Sequence, residues 1–233
     1  MQSVDIKTRL ASGKIVVAVN VGGANADIME PLKRFGADLA FIDCERTGIG
    51  IDAATGLIRA ARACGLAAVV RAWSSDPAVL VQYLDRRADG IVVPHVNSAV
   101  KAAEIVELVR YACGAAADTK LVMVQVETRQ AVESIDELAR VDGVDAYLLG
   151  PNDLAYELTG IRGARTAQTE QAIDHVTARL AAAGKRFGMP SRLEDLGAFR
   201  ARGCSLLYYP VEWLLERAMA EVRQQITVDG ADM

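Results

Sequence analysis

KLVMVQVETRQAVESIDELARVDGVDAYLLGPNDLAY, residues 120–156, decides how this chain is read. The stretch reads as a strand, an amphipathic helix, a second strand, and a Gly-Pro turn that opens a short helix. In VMVQVE, period-2 alternation puts Met123, Gln125 and Glu127 on one face and Val122, Val124 and Val126 on the other. Glu127 ends the first strand, and Asp153 lies just past the end of the second. Parallel strands joined by a crossover share a direction, so both acids are predicted to point into one space. A carboxylate and an amide aimed at a packed interior need a compensating partner, and a divalent cation is the simplest.

The same alternation of β-rich runs and helical patterns extends in both directions. Strand candidates begin at Ile15, Leu39, Ala67, Gly90, Leu121, Ala146, Arg186 and Leu206. Segments such as SAVKAAEIVELVRYA and TEQAIDHVTARLAAAG between them carry apolar residues at three- and four-residue spacing. Asp76-Pro77, Ser98 and Thr128 are helix starts, while Gly36, Gly65, Gly184 and Gly203 fall where helices should stop. Eight strand–helix units in 233 residues predict an α/β fold, a (β/α)8 TIM barrel forming a single domain over 1–233. An open doubly wound sheet is the weaker alternative, because it has less reason to repeat so evenly. Residues 5–12 are expected as a leading N-terminal helix under the barrel floor. The loop of residues 161–166 is placed to cover the other end.

A hydrophobic fraction of 52% and a net charge of −4 describe a globular protein with no electrostatic case for nucleic acid or an anionic membrane. No apolar run reaches the roughly 20 residues that span a bilayer. The first residues, MQSVDIKTRLASGK, lack a signal-peptide core, so a cytoplasmic location is expected. The cysteines, Cys44, Cys64, Cys113 and Cys204, form no CxxC pair and read as reduced thiols rather than a zinc site.

Polar residues collect where the strands end, the face on which barrels of this kind do chemistry. Strand 2 ends in Asp43, Glu45 and Arg46, strand 3 in Arg71, and strand 4 in Pro94-His95. Strand 5 adds Gln125 and Glu127, and the turn after strand 6 holds Gly150, Pro151, Asn152 and Asp153. His95 divides evenly between a site residue and a packed loop histidine, and His175 reads as a surface residue. Met189, Tyr208 and Tyr209 read as barrel filling. Lys14, Lys120 and Lys185 precede their strands, at the wrong end for a Schiff base. No GxGxxG or Walker-type loop follows a strand, which argues against nucleotide cofactors.

FIDCER (41–46), VVRA (69–72), GIVVPHVNSAVKAAEIVELVRY (90–111) and VMVQVETRQAVESIDELARVDGVDAYLLGPNDLAYEL (122–158) resemble the HpcH/HpaI aldolase family. These are class II, metal-dependent pyruvate aldolases related to the citrate lyase β-subunit. The resemblance implies a carbon–carbon lyase acting on a small-molecule 2-oxo acid through a pyruvate enolate. It implies Glu127 and Asp153 as ligands of Mg²⁺, or of Mn²⁺ or Co²⁺. Arg71 would lie beside the substrate carbonyl oxygen, Gln125 would hold water or a ligand in place, and the Gly150–Asp153 turn would cradle the carboxylate. A homo-oligomer is implied too, a trimer or hexamer, with the last helix packed on a neighbouring subunit.

Two features depart from the family pattern. The position after FIDxE, usually a histidine that helps remove the substrate's hydroxyl proton, is Arg46, which cannot act as a general base. A Gly/Arg-rich insert common after the equivalent of Arg110-Tyr111 is replaced by a short Ala-rich link. Three readings follow. Another group, such as His95, Glu45 or bound water, supplies the base. Alternatively, Arg46 binds a second carboxylate and the chemistry is an oxaloacetate-type decarboxylation. Or the barrel binds oxo acids without catalysis. A thioester substrate is disfavoured, because the sequence offers no basic groove for the CoA phosphates.

Overall fold

The computed structural model describes residues 5–228. Eight parallel strands close a barrel in chain order: β1 (Val16–Asn20), β2 (Leu39–Asp43), β3 (Ala67–Arg71), β4 (Gly90–Val93), β5 (Leu121–Val126), β6 (Ala146–Leu149), β7 (Phe187–Pro190) and β8 (Leu206–Pro210). β8 pairs with β1, so no sheet edge remains. The fold is the (β/α)8 barrel that the sequence predicts, with each strand beginning at or one residue after its expected start.

The period-2 pattern sorts side chains into two apolar layers. Val16, Ala18, Leu39, Phe41, Val69, Met123 and Leu206 fill the barrel interior. Val19, Ile42, Val70, Val122, Val124 and Val126 face the helices. The helix Ile6–Ala11, capped by the Asp5 side chain on the Thr8 N–H, sends Ile6 and Leu10 into the interior cluster and closes the floor. Three aspartates just ahead of strands fasten that end: Asp38, Asp89 and Asp145 accept from the backbone N–H of Val17, Ala68 and Val122 at 2.8–2.9 Å. Lys120 and Lys185 also lie at this end, donating to the carbonyls of Ala88 and Val141, away from the predicted chemistry.

Some local expectations change. The segment after β5 is two short helices, Arg129–Glu133 and Ile135–Leu138, broken at Ser134 rather than one amphipathic helix. Met189, Tyr208 and Tyr209 do not act together. Met189 faces the helix layer and Tyr208 the interior, where its ring meets Phe41 edge-on at 4.8 Å. Tyr209 faces a cavity against the closing helix, Val211–Val228. Alternation forces this split, because Tyr208 and Tyr209 are consecutive strand residues.

Gly188 in β7 shows how tightly the strands approach. A Cβ there would lie 1.9 Å from the Leu206 carbonyl oxygen, a backbone atom that cannot rotate away. Gly188→Ala is therefore expected to destabilise the protein by about 3 kcal/mol or more, an overpacking cost at the upper end of its usual range. Urea denaturation would measure it, and a change under about 0.5 kcal/mol, the ordinary surface value, would contradict the contact.

Candidate active site

At the C-terminal end of the barrel the inward-facing positions turn polar: Asn20 on β1, Asp43 on β2, Arg71 on β3, Gln125 on β5 and Tyr208 on β8. Asp43 and Arg71 are register partners on adjacent strands. Their side chains meet in a bidentate pair, Arg71 Nε to Asp43 Oδ1 at 2.9 Å and Nη2 to Oδ2 at 2.5 Å. The remaining nitrogen, Nη1, lies 3.1 Å from Glu45 Oε2 and donates to Gln125 Oε1 at 3.4 Å. Only 9% of Arg71 and 2% of Asp43 are exposed. Burial opposes the charged guanidinium, but the Asp43 hydrogen bonds and the charges of Asp43 and Glu45 prevail, holding Arg71 above its ordinary pKa.

Asp43 also shapes the turn after β2, where its Oδ1 accepts from the N–H of Glu45 and of Arg46 at 3.1 Å each. From β1, Asn20 Nδ2 reaches Asp43 Oδ2 at 3.3 Å and the Tyr208 hydroxyl at 2.6 Å. Burial raises the Tyr208 phenol, so it remains a neutral O–H at the cavity wall. Asn20 carries no motif signal. Its only trace in the sequence is an amide ending an otherwise apolar strand, IVVAVN.

A second group surrounds Glu127, which is 1% exposed. Its Oε2 accepts from the Gln125 amide and its Oε1 from the His95 backbone N–H at 2.9 Å. His95 adopts a left-handed φ of 55°, which turns its ring to the same carboxylate, with Nδ1 3.1 Å from Glu127 Oε1. The other ring nitrogen is 3.6 Å from Glu45 Oε1. Burial pushes the Glu127 carboxyl above its usual range, and the charges of Glu45 and Asp153 push the same way against the opposing pull of His95. Gly150 leaves room for this acid, since a Cβ there would sit 2.9 Å from Glu127 Cβ and 3.0 Å from Oε2.

The donor set fits a hard divalent cation. Ligand atoms of Glu45, His95 and Glu127 lie within 4.8 Å of one another. Glu45 Oε2 is buried and makes no hydrogen bond among the described residues, its compensation being the ion pair with Arg71 at 3.1 Å. Two carboxylates and an imidazole at this spacing suit a divalent metal ion. The sequence pairs Glu127 with Asp153, whereas the group that the structure gathers at this spacing is Glu45, His95 and Glu127. Asp153 lies in the first turn of the helix Pro151–Thr159 and is held by two arginines. Arg46 Nη2 donates to its Oδ1 at 2.6 Å, and Arg162 Nε to the same oxygen at 3.3 Å.

One expectation narrows. The Gly150–Asp153 turn offers fewer donors than predicted, because the Gly150 N–H bonds the Val126 carbonyl and Pro151 has none. Asn152 and Asp153 supply what remains. Arg162 was anticipated only as part of a covering loop; its role at Asp153 had no sequence signal beyond that loop's Gly/Arg content. A cavity of about 380 Å³ opens beside these groups, walled by Asn20, Asp43, Arg46, Arg71, Gln125, Asp153, Arg162 and Tyr208 among others, while Glu45, His95 and Glu127 are not among its lining residues. Its Trp213 and Glu212 come from the closing helix. His175 lies exposed on the helix Ala167–Ala182, away from all of this.

A closed (β/α)8 barrel whose C-terminal strand ends gather a buried guanidinium and several acids beside one cavity has the layout of a barrel enzyme. The chain belongs to the HpcH/HpaI aldolase/citrate lyase family, which matches residues 17–207. A hydroxypyruvate/pyruvate aldolase of Roseovarius nubinhibens is 30% identical over 78% of this chain and 80% of its own. A 4-hydroxy-2-oxovalerate aldolase of Novosphingobium aromaticivorans is 32% identical over 82% of this chain and 81% of its own. Among solved structures, the citrate synthase SbnG superposes with a TM-score of 0.84 at 27% identity, covering 94% of this chain and 98% of the other. No helix among the described residues is long and apolar enough to cross a membrane.

The Glu127 environment sets a pH dependence. A carboxyl whose folded pKa is raised keeps its proton longer in the folded state. Its stabilising contribution is therefore complete below the unfolded pKa and is lost as pH rises through the raised value. In chelator, Glu127→Gln is expected to gain stability relative to the unaltered protein as pH rises from about 4 to about 8. Urea titrations across that range would show the trend, and a difference independent of pH would contradict it.

Proposed function

We propose that this protein is a divalent-metal-dependent lyase that cleaves a carbon–carbon bond of a 2-oxo acid and releases pyruvate by way of its enolate. The observation that carries this reading is Arg71: a buried, doubly anchored guanidinium at the cavity floor, next to a cluster of three further acids. Glu127, with Asp153 as its expected partner and Glu45 and His95 beside it, would hold an ion of the Mg²⁺, Mn²⁺ or Co²⁺ type, which would supply Lewis-acid polarisation of the substrate's carbonyl.

The chain's own groups do the rest. Arg71, fixed by Asp43 before substrate arrives, points positive charge at the carbonyl oxygen where negative charge grows as the bond breaks. Because it is already oriented, little reorganisation is needed during the reaction. The N–H groups of Asn152 and Asp153, at a helix N-terminus, receive the substrate carboxylate. Gln125 keeps both Arg71 and Glu127 in place. Arg46 stays protonated, so the hydroxyl proton of an aldol substrate goes to a rim group that the ion leaves free, His95 or Glu45. A substrate that loses CO₂ needs no such base, and the exposed Arg46 guanidinium favours oxaloacetate-type decarboxylation as the second reading.

Pyruvate formation from a 4-hydroxy-2-oxo acid and from oxaloacetate, with Mg²⁺ or Mn²⁺ and then with chelator, tests the assignment. Turnover is expected with metal and lost without it. Chelator-insensitive turnover removes the metal-dependent mechanism, and metal-dependent oxalate binding without turnover points to a non-catalytic oxo-acid-binding barrel. Arg71→Met should lower kcat by about 10²–10³-fold, the usual cost of one pre-aimed donor. A change below about threefold would remove Arg71 from the enolate role.

The closing helix supports a homo-oligomer, trimeric or hexameric. Leu215, Met219 and Val222 on it are more than half exposed, and Leu214 and Trp213 line an apolar cavity of about 570 Å³ with Leu32 and Phe35. A patch of that kind rarely faces water in a lone chain. Light scattering should return three or six chain masses, and a single chain mass would overturn the assembly. The four cysteines are all free thiols, which supports a reducing, cytoplasmic setting.

A further inference from the structure

We infer that the Tyr208 hydroxyl is the proton donor that turns the pyruvate enolate into pyruvate, and that Asn20 holds it in place for that step. The inference rests on the lyase reading above, because aldol cleavage and decarboxylation both leave an enolate whose C3 must gain a proton. Its own support is the hydrogen-bond arrangement on the β1–β8 side of the cavity.

The Asn20 amide is fixed in one orientation. Its Oδ1 accepts from the backbone N–H of Gly22 at 3.0 Å, so Nδ2 faces the other way. There it lies 2.6 Å from the Tyr208 oxygen and 3.3 Å from Asp43 Oδ2. An amide nitrogen only donates, so the phenol oxygen is the acceptor and keeps its own proton free. Among the described residues that O–H has no acceptor of its own. The ring beneath it is held edge-on against Phe41 at 4.8 Å, and Phe41 in turn lies under the Arg71 guanidinium. Tyr208 is only 8% exposed, and the space it borders is the cavity.

Other groups on that wall are poor proton donors. Arg46, Arg71 and Arg162 never release theirs, and the amides are not acids. The Thr47 hydroxyl is spent on the Asp43 carbonyl, and Asp43 and Asp153 accept from guanidiniums. Position agrees with chemistry. Arg71 on β3 and the turn after β6 take the keto-acid end, which leaves the β8–β1 arc for C3 and the group that departs from it. Burial keeps the phenol protonated at rest, while the Asn20 hydrogen bond and the Arg71 charge pull the other way. Those two favour the phenolate as the proton leaves. In the step itself the Tyr208 O–H bond breaks and a C3–H bond forms from the enolate's C=C electrons, while its C–O⁻ becomes C=O. The phenolate then recovers a proton from water.

A group that delivers a proton to C3 also removes one, so exchange of the pyruvate methyl protons in D₂O, followed by proton NMR on the Mg²⁺-loaded protein, reads this role directly. Tyr208→Phe keeps the ring on Phe41 and deletes only the hydroxyl. It should slow exchange about 10²-fold or more, the usual contribution of a positioned general acid or base. Oxalate affinity, measured by calorimetry, should change less than about twofold, because the lost interaction belongs to the reacting state. Exchange within about threefold of the unaltered protein would overturn the donor role, as would a parallel loss of exchange and oxalate affinity. An unaltered protein that releases pyruvate without exchanging its methyl protons would also overturn the role and leave the lyase reading standing. Neither exchange nor release would defeat the lyase reading itself.

Discussion

The bidentate contact between Asp43 and Arg71 ties together the upper end of this barrel, and most of the site's geometry follows from it. Two opposite charges placed as register partners on adjacent strands cannot avoid each other, and burial makes either one costly alone. Losing one partner of such a pair typically costs about 3–5 kcal/mol. Asp43 spends its remaining acceptor capacity on the turn that carries Glu45 and Arg46 and on Asn20. The strand ends β1, β2, β3 and β5 are therefore linked through one guanidinium–carboxylate unit, with Tyr208 of β8 attached through Asn20.

Away from that unit, compensation is incomplete, and function concentrates there. Glu127 is almost fully buried, yet its neighbours are an amide, a backbone N–H and a rim histidine, with Glu45 and Asp153 adding negative charge. Such a carboxylate is uncomfortable unless a cation joins it. Beside it, Arg46 and Arg162 share one oxygen of Asp153. Gly150 is the hinge point of this layout, because any side chain there would displace Glu127.

The replacement of a proton-transfer residue by Arg46 takes on a definite meaning in three dimensions. In one dimension it is a loss, since a guanidinium cannot accept a proton. In the folded chain it joins Arg162 on Asp153, 107 residues away. The imidazole missing from that turn has a counterpart at His95, whose left-handed backbone sets its ring against Glu127.

Alternation and punctuation determined the fold directly. VMVQVE placed Gln125 and Glu127 on the interior face, as FIDCE did Asp43, because consecutive strand residues must point to opposite sides. Gly36, Gly65, Gly184 and Gly203 end helices with positive φ, where other residues would be strained. Position at the ends of the predicted strands also placed the acids, Arg71 and His95 at the C-terminal end of the barrel. What no local pattern carries is who meets whom. The sharing of Asp153 by Arg46 and Arg162, the bridge from Asn20 to Asp43 and Tyr208, and the gathering of Glu45, His95 and Glu127 all join distant segments. They exist only because closing the barrel brings the ends of separate strands to one rim, at distances set by strand register and turn shape.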